Sequence, residues 1–183
     1  LIDGSKLSYE ENIAATGDVW EYAKTKGDIA VEGELGYLRG SSEVQKAVEI
    51  SVEDYTKPEQ AADFVVRTNV DRLAVVFGNI HGIVTEQEEH LDIGHFKKIV
   101  AVAPDTFFVL HGASGLADAE VSAAIKAGIV NVHFNTELRV AYAKELDREL
   151  DKEPLETTPY KYLAPAAAEV QKLVAEKVRL FMR

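Results

Sequence analysis

The sequence predicts an α/β fold built on a parallel sheet, and three observations carry that expectation. Apolar runs without alternation recur, as in 72–78 (RLAVVFG) and 107–110 (FFVL), and read as strands buried on both faces. Each run gives way to glycine and polar residues and then to helical periodicity, so strand and helix alternate along the chain. Chemically able side chains gather just past the strands, at Asp3, Glu34, His81, His111 and His133, the end of such sheets where sites form. A closed barrel and an open doubly wound sheet share these features, so periodicity alone does not separate them.

Leu1-Ile2 reads as a strand ending, and Asp3-Gly4-Ser5 as its loop. The chain opens without methionine inside that ending, so its natural beginning is expected to be missing. Ser8 with Glu11 predicts a capping box on a helix running to Lys26, stopped by Gly27. Residues 29–35 (IAVEGEL) read as a strand interrupted by carboxylates. Residues 36–57 have no clean period and are expected to form a long active-site loop with one helical turn near Val44 to Val48. Pro58 starts the next helix at a tolerated first-turn position. After the strand 72–78 and Asn79-Ile80-His81-Gly82 comes a polar segment, then a helix from Ile93 to Val102 stopped by Pro104. The strand 107–110 leads through His111-Gly-Ala-Ser-Gly115 into a helix over 118–127, and Gly128 precedes a last strand over 129–134. Asn135-Thr136-Glu137 caps a helix over 138–150, Pro154 and Pro159 break the chain, and an amphipathic helix runs from Pro165 to Met182 within a C-terminal segment 163–183.

At 183 residues the chain suits one domain, and it is shorter than the ~250 of a complete (β/α)8 barrel. Twenty basic against 31 acidic side chains give a net charge of -11, a field that opposes nucleic acid and anionic membranes as partners. A phosphate ligand must therefore be held by local donors. Cysteine is absent, which removes disulfides and thiolate metal sites and fits a cytoplasmic location. No apolar run reaches the length of a membrane span.

His81 and His111 each follow an apolar strand and precede glycine. On neighbouring strands they would share one mouth and one divalent metal, with His133 a third donor; a catalytic zinc takes about three protein ligands and keeps one position open. The competing reading is a pair of hydrogen-bonded core histidines. His90 and His95 stand in polar surroundings and read as surface residues. Asp3 and Glu34 at strand endings suit a base, a metal ligand or a rim salt bridge. Glu32 shares a face with Glu34, and either serves as the inward carboxylate. Gly112, Ser114 and Gly115, with Asn135 and Thr136, open two consecutive helices, where orphan amides take a cap or a phosphate.

Taken together, IDGS followed by EN, VEGELG, GNIHG, FVLHGASG and FNTELR, in this order, resemble the class II, zinc-dependent fructose-bisphosphate aldolases, including the tagatose-bisphosphate branch. The resemblance runs through the whole chain to KYLAPA and VAEKVRLF. It implies a (β/α)8 TIM barrel of which about the last five βα units are present, and reversible aldol cleavage of a ketose bisphosphate to dihydroxyacetone phosphate and glyceraldehyde 3-phosphate. Zinc would polarise the ketose-phosphate carbonyl. His81 and His111 match zinc-binding histidines; Asp3 and Glu34 match acidic positions of a secondary metal location. Gly82, Gly112, Ser114, Asn135 and Thr136 match positions that hold phosphate or a monovalent cation. The phosphorylated sugar is the implied partner, and a homo-oligomer, dimer or tetramer, the implied state.

Three departures qualify what the resemblance implies. The family's His-x-Asp-His motif, with a third zinc histidine and the proton-transferring aspartate, is not in this sequence. His133 stands where the family usually has a substrate-contacting asparagine. Arg39-Gly40-Ser41-Ser42-Glu43 replaces a glycine pair followed by acidic residues, so a proton-donor role passes only to Glu43. The expectation is a chain that on its own is weak or inactive, with a non-catalytic sugar-phosphate-binding remnant as the alternative.

Overall fold

A computed structural model describes residues 1–182. Its framework is a four-stranded parallel sheet in the order β1-β3-β5-β6, formed by β1 (Glu32–Leu35), β3 (Arg72–Val75), β5 (Phe107–Leu110) and β6 (Ile129–Val132). Ile2 adds a parallel bridge to Gly33 at the β1 edge. The strand positions therefore follow one another in chain order. Each is followed by a helix: α1 (Tyr9–Lys26), α2 (Pro58–Thr68), α3 (Ile93–Val102), α4 (Asp118–Ala127) and α5 (Thr136–Lys152), with α6 (Pro159–Phe181) last.

The expected capping box of α1 is present, with Ser8 and Glu11 each bonded to the other's backbone amide, and lysines close its last turn against the helix dipole. Pro58 stands at the start of α2. The period of two sorts the strands into two faces. Leu73, Val75, Phe108 and Leu110 pack in the apolar cluster with Phe64, Phe96, Ile99, Val121 and Ala124 of the helices. Phe96 stacks on Phe77 at 4.7 Å and meets Phe108 edge-on at 5.5 Å. Gly33 belongs to this outer face, because a Cβ there would lie 2.9 Å from the Phe64 ring. The opposite, inner face carries Glu32, Glu34, Ala74 and Val109, with Glu34, Ala74 and Val109 in register. The inner face is therefore the one that brings carboxylates toward the strand ends.

The structure corrects four expectations. Residues 36–57 are not a featureless loop: β2 (Gly40–Gln45) pairs in parallel with β4 (His81–Val84), and the helical turn is at Val52–Asp54, not 44–48. GSSEVQ has no alternation to announce a strand because β2 is largely exposed on both faces. The polar segment after Gly82 likewise begins as β4, and His81 starts that strand instead of ending β3, which stops at Val75. The last helix begins at Pro159, six residues earlier than expected: Pro159 takes the first turn and Pro165 lies inside. Proline there removes one backbone bond, and packing on α5 holds the helix together. His95 is half-buried, its Nε2 donating to the Thr56 carbonyl at 2.8 Å, whereas His90 is exposed as expected. Residue 183 lies outside the described residues. Among the described residues no helix is long and apolar enough to cross a membrane.

Candidate functional site

Two backbone crossings position the site. Gly112 adopts φ 68° where its backbone passes against Ile80: an added Cβ would lie 1.9 Å from the Ile80 carbonyl oxygen. Buried Asn79 ties the same two loops, accepting from Phe77 N at 2.9 Å and donating to the carbonyls of Val75 and His111. The loop carrying His81 and the loop carrying His111 are thereby locked side by side, which is how two histidines 30 positions apart come to border one cleft.

That cleft is a cavity of about 210 Å³ lined by Leu1, Ser42, His81, Gly82, His111, Gly112, Ser114, His133, Asn135 and Thr136. It gathers all three histidines read at strand ends, His81, His111 and His133, and the five positions Gly82, Gly112, Ser114, Asn135 and Thr136. Asp3 and Glu43 are exposed and do not line it. Asp3 instead accepts from Ser5 N at 3.0 Å. Glu43 sits on β2, from which Ser42 reaches the cavity; the Ser42 carbonyl accepts from Arg139 at 2.7 Å. The contact between Ser42 and Arg139 had no signal in the sequence, because the two residues stand 97 positions apart and only the tertiary structure brings them together.

Ser114 supplies a cap from a distance. Its Oγ accepts from Asn135 N at 3.2 Å and Glu137 N at 3.3 Å, at the start of α5, and Asn135 makes no side-chain cap of its own. Ala113 N donates to His133 O. Among the described residues the amides of Gly112 and Thr136, both lining the cavity, have no protein acceptor. Orphan amides at a helix start, facing a cleft, are what an anion needs in a protein of net negative charge.

Behind the cavity the inner-face carboxylates converge on one ring. His111 Nε2 lies 2.9 Å from Glu32 Oε1, and Nδ1 lies 3.3 Å from Glu34 Oε2. Both carboxylates of the E-x-E pair therefore face inward, which settles the choice the sequence left open. Burial by itself would discharge the His111 ring, but the hydrogen bonds it donates to both carboxylates, and their charges, outweigh it and push its pKa up to about 9. The matching effect appears on Glu32: burial opposes its charge, yet the bond and charge of His111, then His133 and Arg72, hold it below the usual carboxylate range. His133 stacks on His111 with ring centroids 4.4 Å apart. Burial, then the neighbouring His111 charge, lowers the His133 pKa, and burial lowers that of His81.

One donor atom each from Glu32, His111 and His133 can be chosen so that all three lie within 4.8 Å of one another; His81 is not in this group. Two imidazoles and a carboxylate are a donor set that fits zinc and related divalent ions.

A third buried carboxyl, Glu89, borders a separate cleft and accepts from Ile80 N at 3.2 Å, while its Oε2 has no partner. Burial pushes its pKa up to about 8, against the opposing Ile80 bond. Between the ordinary value of 4.5 and about 8 the folded chain keeps a proton that the unfolded chain releases, so this group's stabilising contribution is complete below that window and lost as pH rises through it. Melting temperatures of the metal-free protein are expected to fall across this window, and Glu89→Gln is expected to flatten the fall; an unchanged slope in the variant would exclude Glu89 as its source.

Consecutive parallel βα units with histidines, carboxylates and free amides at the C-terminal ends of the strands define a βα-barrel protein with a candidate metal and anion site at its catalytic face. Comparison with known proteins specifies it further. The family profile described as "Fructose-bisphosphate aldolase class-II" matches residues 1–183. The chain is 35% identical over 192 residues to a fructose-bisphosphate aldolase of Streptococcus pyogenes, covering 99% of this chain and 63% of that protein. The corresponding protein of Streptococcus pneumoniae is also 35% identical, over 193 residues. Among solved structures, the YdjI aldolase of Escherichia coli K12 superposes with a TM-score of 0.75 at 31% identity, over 98% of this chain and 58% of that one. The fructose-bisphosphate aldolase of Campylobacter jejuni, 20% identical with a TM-score of 0.76, shares the fold. The chain belongs to the class II fructose-bisphosphate aldolase family and forms part of its barrel, spanning a little under two thirds of the curated relatives it matches.

Proposed function

We propose that this chain carries the phosphate-holding and much of the metal-holding part of an aldolase site acting on fructose 1,6- or tagatose 1,6-bisphosphate, cleaved reversibly to dihydroxyacetone phosphate and glyceraldehyde 3-phosphate. The observation that carries the reading is the single cavity in which strand-end histidines and unpaired helix-start amides face the same space. A phosphate at the amides of Gly112 and Thr136 would be held by dipoles and hydrogen bonds instead of by net charge. That anchoring would set the adjoining carbonyl toward the histidine side of the cavity, a gain from positioning. When bound, zinc supplies Lewis-acid polarisation of that carbonyl. Glu34 on Nδ1 of His111 fixes the ring and keeps its basicity high. His81 stands beside the same space, its backbone held by Arg39 O and Gln45, so its ring is free to meet ligand. Glu43, exposed on β2, could serve as proton donor only if β2 moved inward.

Aldol cleavage by the full protein, measured with each bisphosphate by trapping the triose phosphates, is expected to disappear with a chelator and return with zinc. Chelator-resistant cleavage would exclude the metal. The second reading, a sugar-phosphate-binding protein without catalysis, draws on the two carboxylates that already occupy both nitrogens of His111. It predicts dihydroxyacetone phosphate binding that is indifferent to the chelator, with no cleavage.

A further inference from the structure

We propose that a second cleft, separate from the histidine cavity, binds the ammonium group of a small primary alkylamine through Glu88, Glu89 and Glu120. This site takes no part in the aldolase reading above, and its test is independent of that reading.

The cleft, about 350 Å³, lies between the segment that follows β4 and the start of α4. Glu88, Glu89 and His90 line it from the first, Glu120 from the second, and Val84 and Ala117 add apolar surface. Among the described residues no lysine or arginine pairs with any of the three carboxylates, whose only charged neighbour is His90. Acidic side chains alone do not make a site, and the observation that points to a ligand is Glu89. It is only 8% exposed, it lines the cleft, and its Oε2 has no partner while Oε1 accepts from Ile80 N. Buried polar atoms in native proteins almost always find a partner. Protonation does not supply one here, because the acid O–H then lacks an acceptor. The orphan oxygen therefore calls for a donor brought from outside the chain.

The neighbours define the chemistry of that donor. Glu120 Oε2 accepts from Leu91 N at 2.9 Å, which leaves Oε1 with only a loose approach to His90 Nδ1 at 3.5 Å. Glu88, 3.4 Å from His90 Nε2, is exposed and free to swing inward. A primary ammonium carries three N–H donors on one positive centre, one for each carboxylate, and its alkyl stem can lie along Val84 and Ala117. A divalent ion fits less well. Among the described residues the one set of three metal donors within 4.8 Å lies elsewhere, and the carboxylates here border a space of small-molecule size.

Binding also moves a proton. Burial puts the Glu89 pKa at about 8, so near pH 7 the arriving ammonium displaces the carboxyl proton to solvent and pairs with the carboxylate. The other titratable groups bordering the cleft are Glu88, His90 and Glu120; β4 and the 112–115 loop bring none to it.

The test is calorimetric titration of the protein with n-butylammonium chloride at neutral pH, in buffers of different ionisation enthalpy. Tetramethylammonium chloride, which has the charge and no N–H, is the control. Saturable binding is expected, with about one proton released per ligand and tetramethylammonium roughly tenfold weaker or worse. Glu89→Gln is expected to weaken butylammonium about tenfold and to abolish the proton release, whereas Glu120→Gln weakens it by about the same factor and keeps the release. Because Glu120 is partly exposed, Glu120→Gln keeps the test decisive even if Glu89→Gln unfolds. Absence of saturable binding, equal binding of tetramethylammonium, or binding unchanged in both variants overturns the site. Tighter binding of a short lysine peptide than of butylammonium overturns the free amine as its ligand and assigns the ammonium to the side chain of a partner.

Discussion

Replacing Gly112 by alanine is expected to destabilise the protein by about 4 kcal/mol or more, near the upper end of single substitutions. Two costs add. A left-handed φ of 68° costs an L-residue on the order of 1–2 kcal/mol. The larger cost is that the new methyl would stand 1.9 Å from the Ile80 carbonyl, backbone against backbone, so no side chain can swing away. Relief requires parting the loops that carry His81 and His111. Gly115→Ala is the control: its φ is 98°, but its nearest neighbours would lie 3.6 Å from the methyl, leaving only the conformational cost. Urea unfolding of the pair measures the difference, and equal midpoints would refute the crossing argument.

The metal-free protein is expected to lose on the order of 3 kcal/mol as pH rises from 6.5 to about 9, the span over which the folded chain alone retains the His111 proton. The sign follows from a folded value above the unfolded one: the contribution is complete below pH 6.5 and gone once pH passes about 9. Glu32, with its value depressed, behaves oppositely, and its contribution is lost as the solution is acidified below the ordinary carboxylate value of 4.5. Glu32→Gln removes the first of the two carboxylate bonds to the ring. It should lower the His111 titration midpoint and reduce the alkaline loss, both readable from imidazole proton resonances and from melting against pH. A midpoint that stays near 9 in the variant would show that Glu34 alone sets it. Glu89→Gln acts on the lower window, 4.5 to about 8, so the two groups can be told apart.

Much of the fold was legible because its signals are local. Ser8 and Glu11 specify the start of α1 within four residues, Pro58 specifies that of α2, and continuous apolar runs mark β3 and β5. The β2–β4 pairing was not legible. GSSEVQ is exposed and has no hydrophobic face to report a period, and its partner lies some 40 positions on. Proline misled at α6, where Pro165 reads as a helix start although Pro159 takes that position.

The site divides along the same line. Sequence by itself determined which residue types stand at the strand ends, their order, and through it the family, because a residue's place after a strand is written in its neighbours. Tertiary structure alone decided that Glu32 as well as Glu34 reaches His111, that His133 and not His81 completes the close donor group, and that Ser114 caps α5 across a gap of 21 positions. Those outcomes depend on how far one strand lies from another and on where Asn79 and Gly112 pin the loops together. Distances between strands are set by packing over the whole sheet, and no short stretch of sequence encodes them.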